Sequence, residues 1–221
     1  EGKRLQGKSD GPFKTVIDPK EVEYVERNLA GKNLEKGVKW MIDTTDNDSY
    51  KKVGNQVLKK IQDLQNETGV KFRLKVVNPG QLGSGQLKTD QGHARGVSKT
   101  GFARRRDDGT LSKFTNVVYM AGPGYKEGAG ASYETLLHEA IHTATSYTLH
   151  YGRQPANRNT PEAKNAEKLK KLHKHLQKVV KDRIGDMRSQ RDVESLPLSE
   201  QQVISGKFPW LQDVDEMIAY G

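Results

Sequence analysis

At 221 residues the chain is long enough to bury the core of one medium-sized domain, while 33% hydrophobic content and a mean hydropathy of -0.84 point to a small core under a polar surface. No apolar run approaches the roughly 18 residues of a membrane span, no signal-peptide pattern stands at Glu1, and the lack of cysteine excludes disulfides and thiolate metal ligands. The formal net charge of +9 allows weak contact with nucleic acid or an anionic surface. The basic residues read as mostly dispersed, with two local concentrations. Arg104 to Arg106 run into Asp107-Asp108-Gly109, a solvated hairpin tip, and the lysines from Lys164 to Lys181 fall on the polar side of a helical pattern.

Residues 1–32 are expected to be a leader or linker, rich in Gly, Lys, Asp and Pro at first and then carrying one short helix. In that helix Val22, Val25 and Leu29 recur at helical spacing and Gly31 supplies a stop. Residues 33–221 are expected to form the main domain. Leu34, Val38, Trp40, Met41 and Ile42 suggest a second helix. A third, capped by Asp48 or Ser49, carries Val53, Val57, Leu58, Ile61 and Leu64 and ends near Gly69.

Val70, Phe72, Leu74 and Val76 alternate with charged residues, the pattern of a half-buried strand. A glycine-rich connection over 78–92 leads to two more strands, 94–103 and 114–121, the second holding the most apolar run, Asn116 to Met120. Glycines at 122, 124, 128 and 130 then keep the chain irregular. Ser132 can cap a long helix with Glu134 in its first turn and Leu137, Ala140, Ile141, Ala144 and Thr148 along one face. Another long helix opens at Thr160-Pro161-Glu162 and buries Leu169, Leu172, Leu176, Val179 and Val180. Short helices are expected near Leu198 and Asp213. Helix, strands, glycine-rich break and long helix make an α+β order.

The chemistry concentrates in His138-Glu139-Ala140-Ile141-His142. Histidines four apart on a helix project from one face, so two imidazole nitrogens converge on one cation. Catalytic zinc takes three protein ligands and leaves one position open. Glu139, offset around the helix, suits a general base that accepts a proton from water and returns it to a leaving amine. A structural zinc site is disfavoured, since it would need a fourth ligand and no cysteine exists.

No glycine-spaced histidine follows His142, where Ser146 and Thr148 stand, and His150 lies about two turns further along. A later carboxylate is the natural third ligand. In Asp213-Val214-Asp215-Glu216-Met217-Ile218-Ala219-Tyr220 the choice is Glu216, which begins a helical run, while Asp213 suits an N-cap. Oxyanion-stabilising candidates are Tyr220, His150 and Tyr151. His173 and His175 are two apart, on nearly opposite sides of a helix, and cannot chelate together.

Leu136 to Thr145, followed some seventy residues later by Val214 to Ala219, resembles gluzincin-type zinc peptidase domains, similar to those within large multidomain bacteriophage proteins and some bacterial toxins. The resemblance spans roughly residues 40 to 221, and outside the two motifs it rests on the order of elements. It implies a zincin-like fold, with a small mixed sheet packed on the motif helix and a further helical part. It also implies one zinc ion held by His138, His142 and Glu216, Glu139 as general base, and a protein or peptide substrate. Tyr220 stands where these domains often carry a further acid. In such a fold Asn116, Val117, Val118, Tyr119 and Met120 would lie along the cleft, offering a strand edge to an extended peptide. The missing initiator Met and the stop at Gly221 inside an expected helix suggest a fragment of a larger protein, either a virion component or an injected or secreted effector. The competing reading is a non-catalytic basic module on the same fold, binding nucleic acid or an acidic partner.

Overall fold

The computed structural model describes residues 19–89, 92–102, 114–125, 130–153 and 159–185, together with Asp213, Val214, Met217 and Ile218. These form an α+β chain. Helices α1 (Pro19–Leu29), α2 (Leu34–Thr44) and α3 (Asp48–Thr68) come first. Strands β1 (Arg73–Val77), β2 (Lys88–Thr89), β3 (Gly92–His93), β4 (Gly96–Phe102) and β5 (Phe114–Ala121) follow, then helices α4 (Tyr133–Arg153) and α5 (Pro161–Gly185). The chain divides into two units, one reaching to Ala144 and the other starting at Thr145, so α4 runs through the boundary.

The first unit includes α1, the short helix expected there. Val22, Val25 and Leu29 of α1 and Leu34, Val38 and Met41 of α2 are all buried. Gly31, at φ +70°, ends α1 in the left-handed region that glycine enters without steric cost. Asn33 caps α2 by accepting from Lys36 N–H at 2.8 Å. Asn47, not Asp48 or Ser49, caps α3, accepting from the N–H groups of Ser49 and Tyr50 at 2.9 and 3.2 Å. Both expected caps sit inside the first turn, one and two positions past the residue that caps it.

Two polar links fasten these helices. The Glu35 carboxylate accepts from Gln62 and Gln65 Nε2 at 2.9 and 2.8 Å, and those two bonds hold its carboxyl below the ordinary value. A depressed carboxyl favours the folded state above the ordinary pKa and loses that contribution as pH falls through the lowered one. Phe72 joins three elements: its carbonyl accepts from Leu34 N–H at 3.2 Å, its own N–H donates to Gln65 Oε1 at 3.4 Å, and its ring is fully buried.

The three-stranded sheet has the order β1-β5-β4, with β1 parallel and β4 antiparallel to β5. This corrects the expected substrate edge. Asn116, Val117, Val118, Tyr119 and Met120 belong to the central strand, whose two sides are taken by β1 and β4, so no further strand can add there. The most apolar strand takes the centre because flanking strands shield it on both sides. Asn116, Val118 and Met120 are buried on one face, whereas Val117 and Tyr119 are half-buried on the other. The glycine-rich connection is more ordered than expected, with a 3-10 turn at Ser84–Leu87 and the two-residue ladder β2-β3.

In the second unit, Thr160 Oγ1 accepts from Ala163 N–H at 3.2 Å and opens α5. The expected apolar stripe of α5 is rotated. Ala166 and His173 are buried, while Leu172 and Val179 are 49% and 48% exposed. His175, on the opposite side from His173, is exposed. Asp213 O accepts from Met217 N–H at 3.1 Å, one helical turn in which Val214 and Met217 are buried. The helix expected near Leu198 lies outside the described residues. Among the described residues, no helix is long and apolar enough to cross a membrane.

Because Phe72 is fully buried where α2, α3 and β1 meet, Phe72→Ala is expected to cost about 3–5 kcal/mol, read as a lower urea midpoint at unchanged slope. A loss under about 1 kcal/mol would mean that this junction collapses around the cavity.

Candidate metal centre

Helix α4 begins as its sequence requires. Ser132 Oγ accepts from Thr135 N–H at 3.2 Å, and Ser132 O accepts from Leu136 N–H at 3.0 Å. Leu136, Leu137, Ala140, Thr143 and Ala144 are buried, and they fix which way the remaining side chains point. Ile141 and Thr148, placed by the sequence on the buried face, are only half-buried.

His138 and His142, one turn apart, are half-buried and converge. Their Nε2 atoms lie 3.1 Å apart, with ring centroids at 4.6 Å and an interplanar angle of 80°. Two nitrogens each about 2.0–2.1 Å from one tetrahedral zinc lie about 3.3 Å apart. The 3.1 Å separation is close to that spacing. The same separation also suits an Nε2–H···Nε2 hydrogen bond between unlike tautomers in the metal-free protein.

Glu139 is 5% exposed and turns toward β4. A Cβ built on Gly96 would stand 2.7 Å from Glu139 Cγ and 2.8 Å from its Oε1, and 2.7 Å from Thr135 Cγ2. The first residue of β4 must therefore be glycine for the carboxylate to lie where it does.

A buried polar ring locks the same helix to the sheet. Asn116, 1% exposed, donates from Nδ2 to Ser98 Oγ at 3.0 Å and to Thr100 Oγ1 at 2.9 Å. Thr143 Oγ1 reaches both Asn116 Oδ1, at 3.1 Å, and the Glu139 carbonyl, at 3.0 Å. Ser98 Oγ lies 3.1 Å from Thr143 Oγ1. With Ser98 donating to Thr143, the ring Asn116–Ser98–Thr143 closes and every proton has an acceptor. Asn116 thus acts from inside the core rather than from a strand edge.

The structure brings together His138 and His142 and sets Glu139 against β4. It does not place the remaining expected groups around them. Glu216 and Tyr220 lie outside the described residues, the Tyr151 side chain is not described, and His150 is exposed on α4 within the second unit. Among the described residues, no group of three His, Cys, Asp or Glu side chains is arranged to hold a metal ion. Sequence reasoning missed Gly96, Ser98 and Thr143. Glycine within a strand signals close approach of a neighbour, and a threonine three residues past Ala140 and one before Ala144, on the apolar face of the helix, signals a buried hydroxyl with a partner.

Compared with protein families, curated proteins and solved structures, the chain finds no match.

Thr143→Val removes the hydroxyl while keeping the shape, leaving Asn116 Oδ1 and Ser98 Oγ each short of one partner. A loss of about 1–3 kcal/mol in urea unfolding is expected, and a change within about 0.5 kcal/mol would show that water replaces the hydroxyl. Gly96→Ala is expected to displace the Glu139 carboxylate and leave the His138–His142 separation intact, a result that a crystal structure of the variant reads directly.

Proposed function

We propose that this chain is a zinc-dependent metalloendopeptidase of the gluzincin type, hydrolysing peptide bonds of a protein substrate. The observation that carries the reading is the convergence of His138 and His142 Nε2 at 3.1 Å on a helix whose intervening Glu139 is buried beside an edge strand. A bound zinc ion supplies Lewis-acid charge at the tips of the two imidazoles. Glu139 accepts the proton of the attacking water on a carboxylate oxygen and hands it to the leaving amine.

Glu216 is proposed as the third ligand on the sequence motif alone, and Tyr220, four residues beyond it, as the group facing the developing oxyanion. The substrate strand is assigned to β4 in place of β5, since β4 lies at the sheet edge and begins at Gly96, against Glu139.

Zinc content by mass spectrometry and cleavage of a denatured protein substrate test the reading together. The purified protein is expected to carry about one zinc ion. Glu139→Gln is expected to keep that zinc and lower turnover about 10²–10⁴-fold, while His142→Ala loses both. Absence of stoichiometric zinc, or undiminished cleavage by Glu139→Gln, overturns the proposal.

A further inference from the structure

The net charge is far less dispersed than it looks along the sequence. Residues 69–125, which build the sheet, hold ten Lys and Arg against three Asp, contributing +7 of the chain's +9. Helices α1 to α3, over residues 19–68, hold nine basic and nine acidic residues and contribute nothing net.

The sheet gathers part of this charge on one face. Strand alternation sends Asn116, Val118 and Met120 to the buried side, so Val117 and Tyr119 face the other way. The ladders then set two rows across that outer face, Arg73–Val117–Lys99 and Lys75–Tyr119–Val97. Arg73 and Lys99 are exposed, and Lys75, Val97, Val117 and Tyr119 are half-buried. Lys75 Nζ stands 6.0 Å from the Tyr119 ring centroid. Gly83, at φ +101°, closes on one edge of that ring, where a Cβ would lie 2.6 Å from Cε1.

Neighbouring strands are about 4.8 Å apart and alternate residues on one strand about 6.6 Å apart, so the three cations sit about 7–12 Å from one another. That is too wide to converge on one phosphate and suits a chain of them. Val97 and Tyr119 are backed by the buried Val77, Leu87 and Ala121, and the half-buried Tyr119 and Val117 leave part of their apolar surface between the cations for a base, which a duplex keeps inside its stack.

We propose that the outer face of the β1-β5-β4 sheet binds single-stranded nucleic acid, with Arg73, Lys75 and Lys99 on successive phosphates and Tyr119 under a base. Glu139 and Thr143 meet the opposite face, so this surface stands independently of the peptidase reading.

Fluorescence anisotropy with labelled oligothymidylate and oligouridylate over a salt series tests it on the whole chain. Wild type is expected to bind both strands more tightly than a duplex of equal length. Reversing all three cations (Arg73→Glu, Lys75→Glu, Lys99→Glu) is expected to weaken binding at least about 10-fold and to flatten the log–log salt slope by about 2. Tyr119→Leu is expected to weaken it about 5- to 150-fold at unchanged slope. The triple glutamine variant gives the same readout should the glutamates unfold the sheet, and zinc content checks that the other face is undisturbed. Binding that survives the triple change, a duplex bound as tightly as the single strand, or indifference to Tyr119→Leu overturns the proposal.

Discussion

Two imidazoles and a carboxylate on one helix are useful only while the rotation of that helix is fixed. A turn of α4 by a few tens of degrees would carry His138 and His142 off their common point and lift Glu139 away from β4. Apolar packing of Leu136, Ala140 and Ala144 resists such a turn, but it is non-directional. The bonds of Thr143 to Asn116 and to the Glu139 carbonyl add direction. They tie the backbone of the proposed base to the two strands in front of it, through a ring that is complete only in one rotational setting.

Much of this was readable beforehand. Helices α1 to α5, the three main strands and the hairpin pairing of β4 with β5 follow from periodicity, glycine stops and the strand alternation, and Ser132 caps the motif helix as its position suggests. The two histidines needed no more than their spacing. The sheet order was not readable: the run from Asn116 to Met120 is equally apolar whether central or marginal, and only the ladders reveal that β4 is outside it. Nor was the buried face of α5, where Leu169, Leu172, Leu176 and Val179 satisfy a helical repeat, yet His173 and Ala166 take the inside. A repeat of apolar residues tells which faces are available, and partners decide which is used.

The contacts around Glu139 belong to a third class, legible only in retrospect. Gly96 looked like one glycine among 22, and Ser98, Thr100 and Asn116 like ordinary polar residues of strands. Their meaning comes from the register, which sets Ser98 opposite Val118 and Thr100 opposite Asn116 and so brings three polar side chains under one turn of α4. Register is a property of pairing, and no single strand carries it.

The mixed sheet also orders its own assembly. Strands β4 and β5 are joined as a hairpin, whereas β1 must find β5 in parallel across 44 positions from Arg73 to Val117. Closing the longer loop costs more chain entropy and gains nothing until the partner strand exists. The shorter loop therefore favours early pairing of the hairpin. Gly96, Ser98, Thr100 and Asn116 all reside on it, so the polar part of the surface under the motif helix comes from two strands close in sequence.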